Sequence, residues 1–334
     1  MRLGLAAAVL LIAAYSAFWF VVAGRLEDGV AQWAGSLRAQ NLDLSWGMIR
    51  VGGFPFGFRV ALSEVRLRGS ATVPNGELRV KLLSGSARPW NFRLWLLVAP
   101  DGVSATANLA GGAVATLSVR SASGSAMVAQ EGGGTLWLSL SEPAVDAGVR
   151  LATRDADLWL TLPPHLPQTH TERAVGIALD ARGLSLPTVP APFKNPVDEI
   201  SFGVTVMGRV PTAPVRQAAA AWRDSGGTLE LDQVALRWGS LRITGSGTVA
   251  LDPDLQPIGG FSGAVEGYDE LLRALVAGGR MRPGDARLAQ LALTMLAKAG
   301  PDGRPEIATS FTIQNGEMFL GPAKLGAAPR IVWE

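Results

Sequence analysis

From Leu3 to Gly24 the chain runs for 22 residues without a charge, and nineteen of them are Ala, Val, Leu, Ile, Phe, Trp or Tyr. About 20 apolar residues cross a bilayer core as a helix, so this run has the length of a membrane span. Phe18, Trp19 and Phe20 lie near its outer end, where aromatic rings favour the membrane interface, and Arg25, Glu27 and Asp28 follow it. A cleaved signal peptide is the competing reading, with Val21-Val22-Ala23 as its small-residue cleavage site. The run is longer than a signal core of about 7–15 residues, which favours an uncleaved anchor. Arg2 is the only charged side chain before the span, so the positive-inside rule places the N-terminus in the cytoplasm and the rest of the chain across the membrane. Leu26, Val30, Trp33 and Leu37 then recur at helical spacing, predicting a juxtamembrane helix over 25–40.

From Leu42 the period changes from 3.6 to two. Leu42, Leu44 and Trp46 alternate, then Ile49 and Val51, then Phe54, Phe56, Phe58, Val60 and Leu62 after Gly52-Gly53. Alternation of this kind describes strands with one apolar face. Pro55 interrupts it and belongs at a strand start, edge or bulge. Asn75-Gly76 is a tight-hairpin signal leading into Leu78, Val80 and Leu82. Further alternating runs are Phe92 to Leu96, Ala115 to Val119, Leu136, Leu138 and Leu140, then Leu158, Leu160 and Leu162, Val175 to Leu179, and Phe202 to Val206. Glycine- and serine-rich breaks such as Gly111-Gly112 separate them. Pro163 to Pro167 and Pro187 to Pro196 cannot be central strands, and the second marks a subdomain boundary.

The C-terminal part mixes periods. Thr212 is placed to cap a helix that ends at Gly226-Gly227, with Val215, Ala219 and Trp222 on its apolar side. Tyr268 to Val276 reads as a helix, as does Pro283 to Ala299, with Leu288, Leu291 and Met295 on one face and Gly300-Pro301 as its stop. Strands around 229–251 and 307–313 complete the pattern, and Asn315-Gly316 gives a second hairpin turn. The expected fold is therefore mainly β with a few helices: a transmembrane helix followed by a long antiparallel, curved or groove-like sheet. Its expected divisions are an anchor at 1–24, the juxtamembrane helix at 25–40, a β-sheet region at 41–190, and a β-rich region with helices at 191–334, either separate or continuing the same sheet.

Composition sharpens this picture. Of 334 residues only 17% are charged, against about 25% in an average soluble domain. The span accounts for part of the apolar excess, whereas the 40 glycines fall mainly at breaks between short strands. The absence of cysteine excludes disulfides and thiolate metal sites, and a formal net charge of +2 gives no nucleic-acid footprint. One internal repeat stands out. Trp46-Gly47-Met48-Ile49-Arg50-Val51-Gly52-Gly53 matches Trp238-Gly239-Ser240-Leu241-Arg242-Ile243-Thr244-Gly245, predicting two strand corners in which the Trp fills the inside and the Gly permits the bend.

Gly52-Gly53-Phe54-Pro55-Phe56-Gly57-Phe58 resembles the G-F-P-F signature of a bacterial envelope family known as domain of unknown function 2125. The run from Gly227 to Asp252, with its W-G-x-L-x-[IV]-x-G-x-G-x-x-x-L-D pattern, is similar to the same family, as is the closing segment around Asn315-Gly316 and Gly321-Pro322. A looser resemblance is to AsmA-like proteins, which implies one inner-membrane helix, a long periplasmic sheet with an apolar interior, and phospholipid handling; likeness of fold alone does not establish function. No activity follows from the first family, so no functional residue is carried over from either.

Chemistry is sparse. There is no G-x-S-x-G, P-loop or H-E-x-x-H. His165 and His170, with Asp155, Asp157 and Glu172 nearby, are the side chains from which a metal site would have to be assembled, and an exposed loop is the plainer reading. Asp198-Glu199 reads as a solvated strand entrance. The functional expectation is a non-enzymatic inner-membrane protein, its bulk periplasmic, with no cofactor and no nucleic-acid partner. It would bind or pass phospholipid or another acyl lipid along apolar positions that include Phe54, Phe56, Phe58, Leu136, Leu138, Leu158 and Leu160. The alternative is a scaffold with a closed core that binds other envelope proteins.

Overall fold

The computed structural model describes residues 2–39, 41–69, 76–108, 113–189, 191–279, 281–299, 304–320, 323–328 and 330–333. The hairpin turn expected at Asn75-Gly76 begins outside these residues, as do the Gly111-Gly112 break, the Gly300-Pro301 stop and Gly321-Pro322. Among the described residues there are four helices and 21 strands, and every strand pairing with a defined register is antiparallel. The chain divides into two compact units, 1–128 with 138–148, and 129–137 with 149–334. The division therefore falls near residues 128–149. The proline-rich stretch expected to mark it lies inside the second unit, as the link between two adjacent strands.

The first unit opens with α1 (Arg2–Arg38), a single helix that merges the expected anchor and juxtamembrane segments. No Pro interrupts it, and Asn41 at φ 61° follows its end. The strands β1 (Leu42–Ser45) and β2 (Met48–Gly52) both pair with the same side of β3 (Phe58–Gly69), β1 at its far end and β2 at its near end. β3 pairs on its other side with β4 (Gly76–Arg88). β4 in turn holds β5 (Asn91–Ala99) and β6 (Val103–Asn108), which pair with β8 (Ser121–Val128) and β7 (Val114–Val119) respectively. Alternation puts Val60 and Leu62 on one face, and an extra residue, Glu64 at φ 50°, shifts the phase so that Val65, opposite Val80, joins them; α1 covers this cluster with Leu26, Val30, Ala34 and Leu37. The helical stripe read from the sequence is thus the lid of a packed core. Each fully buried aliphatic side chain there contributes about 1.5–3 kcal/mol.

The second unit is a meander. The first residues of β9 (Gly134–Ser141) belong to it, and β12 (Asp155–Leu162) is followed in order by β13 (Arg173–Leu184), β14 (Val197–Met207), β15 (Thr228–Trp238), β16 (Leu241–Leu251) and β17 (Pro257–Glu266). β19 (Pro305–Gln314), β20 (Glu317–Leu320) and β21 (Ala323–Ala327) extend it, and the sheet stays open. Three helices decorate it: α2 (Val215–Asp224), α3 (Tyr268–Ala277) and α4 (Pro283–Leu296). α2 buries Ala218, Ala219 and Trp222, but Pro214 occupies its N-cap and no side chain caps it, so Thr212 does not play the expected role. On α4 the residues Leu288, Leu291 and Met295 are exposed, so the face picked out by helical spacing is not its packed face.

Candidate functional site

Among the described residues no group of three or more His, Asp or Glu comes together as metal ligands. Asp155 pairs with Arg154 at 2.9 Å and Asp157 with Arg182 at 3.1 Å. Glu172 accepts hydrogen bonds from the Gln168 backbone N–H at 2.9 Å and the Thr169 hydroxyl at 3.2 Å, and the backbone bond leads in holding its carboxyl below the ordinary 4.5. These carboxylates hold arginines and a loop. His170 packs against Gly226. Asp198 accepts the Gly239 backbone N–H at 2.8 Å and so fixes a turn, while Glu199 pairs with Arg237 at 3.1 Å.

The two Trp-Gly motifs do not make the same corner. Trp46-Gly47 interrupts one strand path, since β1 and β2 run on along β3, and the Gly47 N–H donates to the Ser63 carbonyl at 2.8 Å. Trp238-Gly239 instead opens a tight hairpin in which Trp238 faces Leu241 and Gly239 takes φ 62°. Trp238 stacks on Phe193 at 4.4 Å and donates its Nε1–H to the Lys194 carbonyl at 2.7 Å. Trp46 packs against the core under α1.

The G-F-P-F segment is the turn between β2 and β3, and it docks on the apolar part of α1. Phe58 is fully enclosed and stacks on Trp19 at 5.1 Å with the rings 6° from parallel. It is a core residue and faces no open surface. Phe54 meets Trp19 edge-on at 5.5 Å and Phe20 at 5.9 Å. Trp19 Nε1–H donates to the Gly57 carbonyl at 2.9 Å, the Tyr15 hydroxyl donates to the Pro55 carbonyl, and the Gly57 N–H donates to the Gly53 carbonyl at 3.0 Å. Gly53 is required here: at φ 104° a Cβ would lie 2.8 Å from the Gly57 carbonyl oxygen. Phe56, at the tip, is 82% exposed.

In the second unit the remaining apolar positions line up across strands. Leu158, Leu179, Phe202 and Val234 form one rung through β12–β15, and Leu160, Ile177, Val204 and Leu231 form the next. Leu136 lies on the first part of β9 and is half-buried, as is Leu138, which belongs to the first unit. α3 covers one end of this apolar face, where Leu271 and Ala274 pack near Leu236, Ile243 and Val265. Away from α3 the face is open: Ile177 is 39% and Phe202 36% exposed. The opposite face has a hollow of about 660 Å³ floored by the small residues Gly176, Ala178 and Gly203, with Trp159 and Thr161 beside them. There the Thr205 hydroxyl donates to Asp232 Oδ2 at 2.6 Å.

The family model described as an uncharacterized protein conserved in bacteria (DUF2125) matches residues 19–329. The chain belongs to this family. No curated protein and no solved structure matches it. The matched region of this DUF2125 chain begins at Trp19, the helix residue that stacks on Phe58, so it includes the junction between α1 and the G-F-P-F turn. Among the described residues one helix is long and apolar enough to cross a membrane, with only 6% of its apolar stretch buried. The sequence marked the G-F-P-F segment and the anchor separately. Their contact was out of reach because it joins positions about 40 residues apart, with no local periodicity linking them.

Proposed function

We propose that this DUF2125 chain is a non-enzymatic, single-pass inner-membrane protein of the bacterial envelope, its bulk periplasmic, that holds an acyl lipid on the apolar face of its second unit. The observation that carries the proposal is the pair of half-exposed apolar rungs through Leu158, Leu160, Ile177, Leu179, Phe202 and Val204, which α3 leaves uncovered. Rows of aliphatic side chains on adjacent strands provide an elongated apolar track, and each methylene of a chain laid on it gains about 0.8 kcal/mol from leaving water. The first unit offers no such track beneath α1, because the helix itself fills that face. Retention of the anchor is supported by Trp19 and Ala23: cleavage after Ala23 would strip both from Phe58 and leave a large apolar side chain uncovered.

Photo-crosslinking in the bacterial membrane tests this. A benzophenone side chain placed at Ile177 or Phe202 should yield lipid adducts, whereas one at the exposed Gln233 should not. Protein adducts alone at Ile177 and Phe202 would replace the lipid site with a scaffold surface.

A further inference from the structure

The first unit has a second apolar feature, at the end of its sheet where α1 is most apolar. Two hairpin tips meet there. The β2–β3 turn presents Phe56, and the β4–β5 turn presents Trp90, which is 71% exposed. The register places both tips at the same end, with Phe58 opposite Ala87 and the Phe58 ring tilted against Phe92 at 5.2 Å between centres. Leu94 and Leu96 are exposed just behind the tips, and they share with Phe56, Arg59 and Arg88 the lining of a shallow hollow of about 330 Å³. The Arg88 guanidinium lies 5.7 Å from the Trp90 ring centre. A soluble surface rarely sets this much aromatic and aliphatic area at adjoining tips.

The contacts of the turn fix its depth. It touches Tyr15, Trp19 and Phe20, all inside the uncharged run that ends at Gly24. Trp19 precedes Gly24 by five residues, a rise of about 8 Å. If α1 spans the bilayer, the turn is held at the boundary between acyl chains and headgroups. Its backbone suits that position. The carbonyls of Gly53, Pro55 and Gly57 are all hydrogen-bonded, and Pro55 has no N–H to satisfy. Unpaired backbone polar groups are what lipid does not tolerate. Arg59 and Arg88 stand beside the apolar tip, where cations meet anionic headgroups.

We infer that the two hairpin tips form a membrane-docking foot, with Phe56 and Trp90 inserted in the outer boundary of the anionic bilayer that α1 crosses. This rests on the anchored reading of α1. The foot gives the first unit a second attachment point and so restrains its swing and rotation about the helix.

The chain has no cysteine, so single-cysteine variants report one position each. The full-length protein carrying Phe56→Cys, Trp90→Cys, Ile12→Cys or Ser45→Cys would be labelled with an environment-sensitive fluorophore. Each variant is then reconstituted in vesicles of phosphatidylethanolamine and phosphatidylglycerol. Ile12 is exposed within the span, and Ser45 is exposed on β1, away from the tips. The expected result is a blue shift and quenching by brominated lipid at 56, 90 and 12, with quenching by aqueous iodide only at 45. Aqueous quenching at both 56 and 90 with lipid quenching at 12 overturns the foot and leaves the anchor standing. Aqueous quenching at 12 overturns the anchored reading, and the foot with it. Arg59→Glu combined with Arg88→Glu should reduce the lipid quenching at 56 severalfold; unchanged quenching would remove the anionic headgroups from the inference.

Discussion

Phe58 and Trp19 carry the junction between helix and sheet. Both are buried and stacked, so Phe58→Ala should cost about 3–5 kcal/mol, chiefly through the cavity left beneath the indole. Thermal unfolding of the detergent-solubilised protein would measure it. Trp19→Ala removes the same stack from the other side, so the double variant should fall short of the sum of the singles by about 0.5–3 kcal/mol. Additive losses would mean that the two rings do not act together. Glu77 shows a different residue-scale effect. Its carboxyl lies between Arg79 at 2.6 Å and Arg68 at 3.2 Å, and the hydrogen bond from Arg79 leads in holding its pKa below the ordinary 4.5. The folded state therefore binds fewer protons than the unfolded state in this range. The contribution is fully present above pH 4.5 and is lost as pH falls through the lowered folded value. Acid unfolding of Glu77→Gln should be less steep than that of the parent below pH 4.5; identical slopes would show that Glu77 does not report on folding.

At the scale of elements, much was legible. Alternation located the main strands because each keeps one apolar face, whatever it packs against. The helices α3 and α4 were read for the same reason at a period of 3.6. The differences arise where tertiary contacts choose the outcome. Trp46-Gly47 and Trp238-Gly239 share a local pattern, yet one continues along β3 and the other turns back at once, because the next strand has a different partner. The exposed face of α4 shows the same limit: spacing marks a stripe but cannot name what covers it. The G-F-P-F turn gives the element-scale test. Gly53→Ala forces a Cβ into a φ of 104° and against the Gly57 carbonyl, so it should destabilise by about 1–3 kcal/mol and loosen the turn from α1. Faster amide exchange at Gly57 would record the loosening. Unchanged exchange would mean that the turn relaxes without leaving the helix.

For the whole molecule, two units share one chain but treat their apolar faces differently. In the first unit α1 closes the sheet face; in the second, part of the face stays open. The mature protein should retain Trp19, because the first unit's core needs it, and intact-mass measurement of protein purified from membranes checks this. A species beginning after Ala23 would contradict the anchored reading. The sequence by itself determined the apolar span, the strand-rich class and the family, since each rests on local periodicity or short motifs that neighbouring residues carry. Tertiary structure alone decided that span and juxtamembrane stripe are one helix, that Phe58 is core while Phe56 is bare, and which sheet face stays open. The physical reason is that burial depends on what arrives from distant parts of the chain: an apolar residue at a period of two announces a face, and only the packed fold decides whether a helix, a lipid or water meets it.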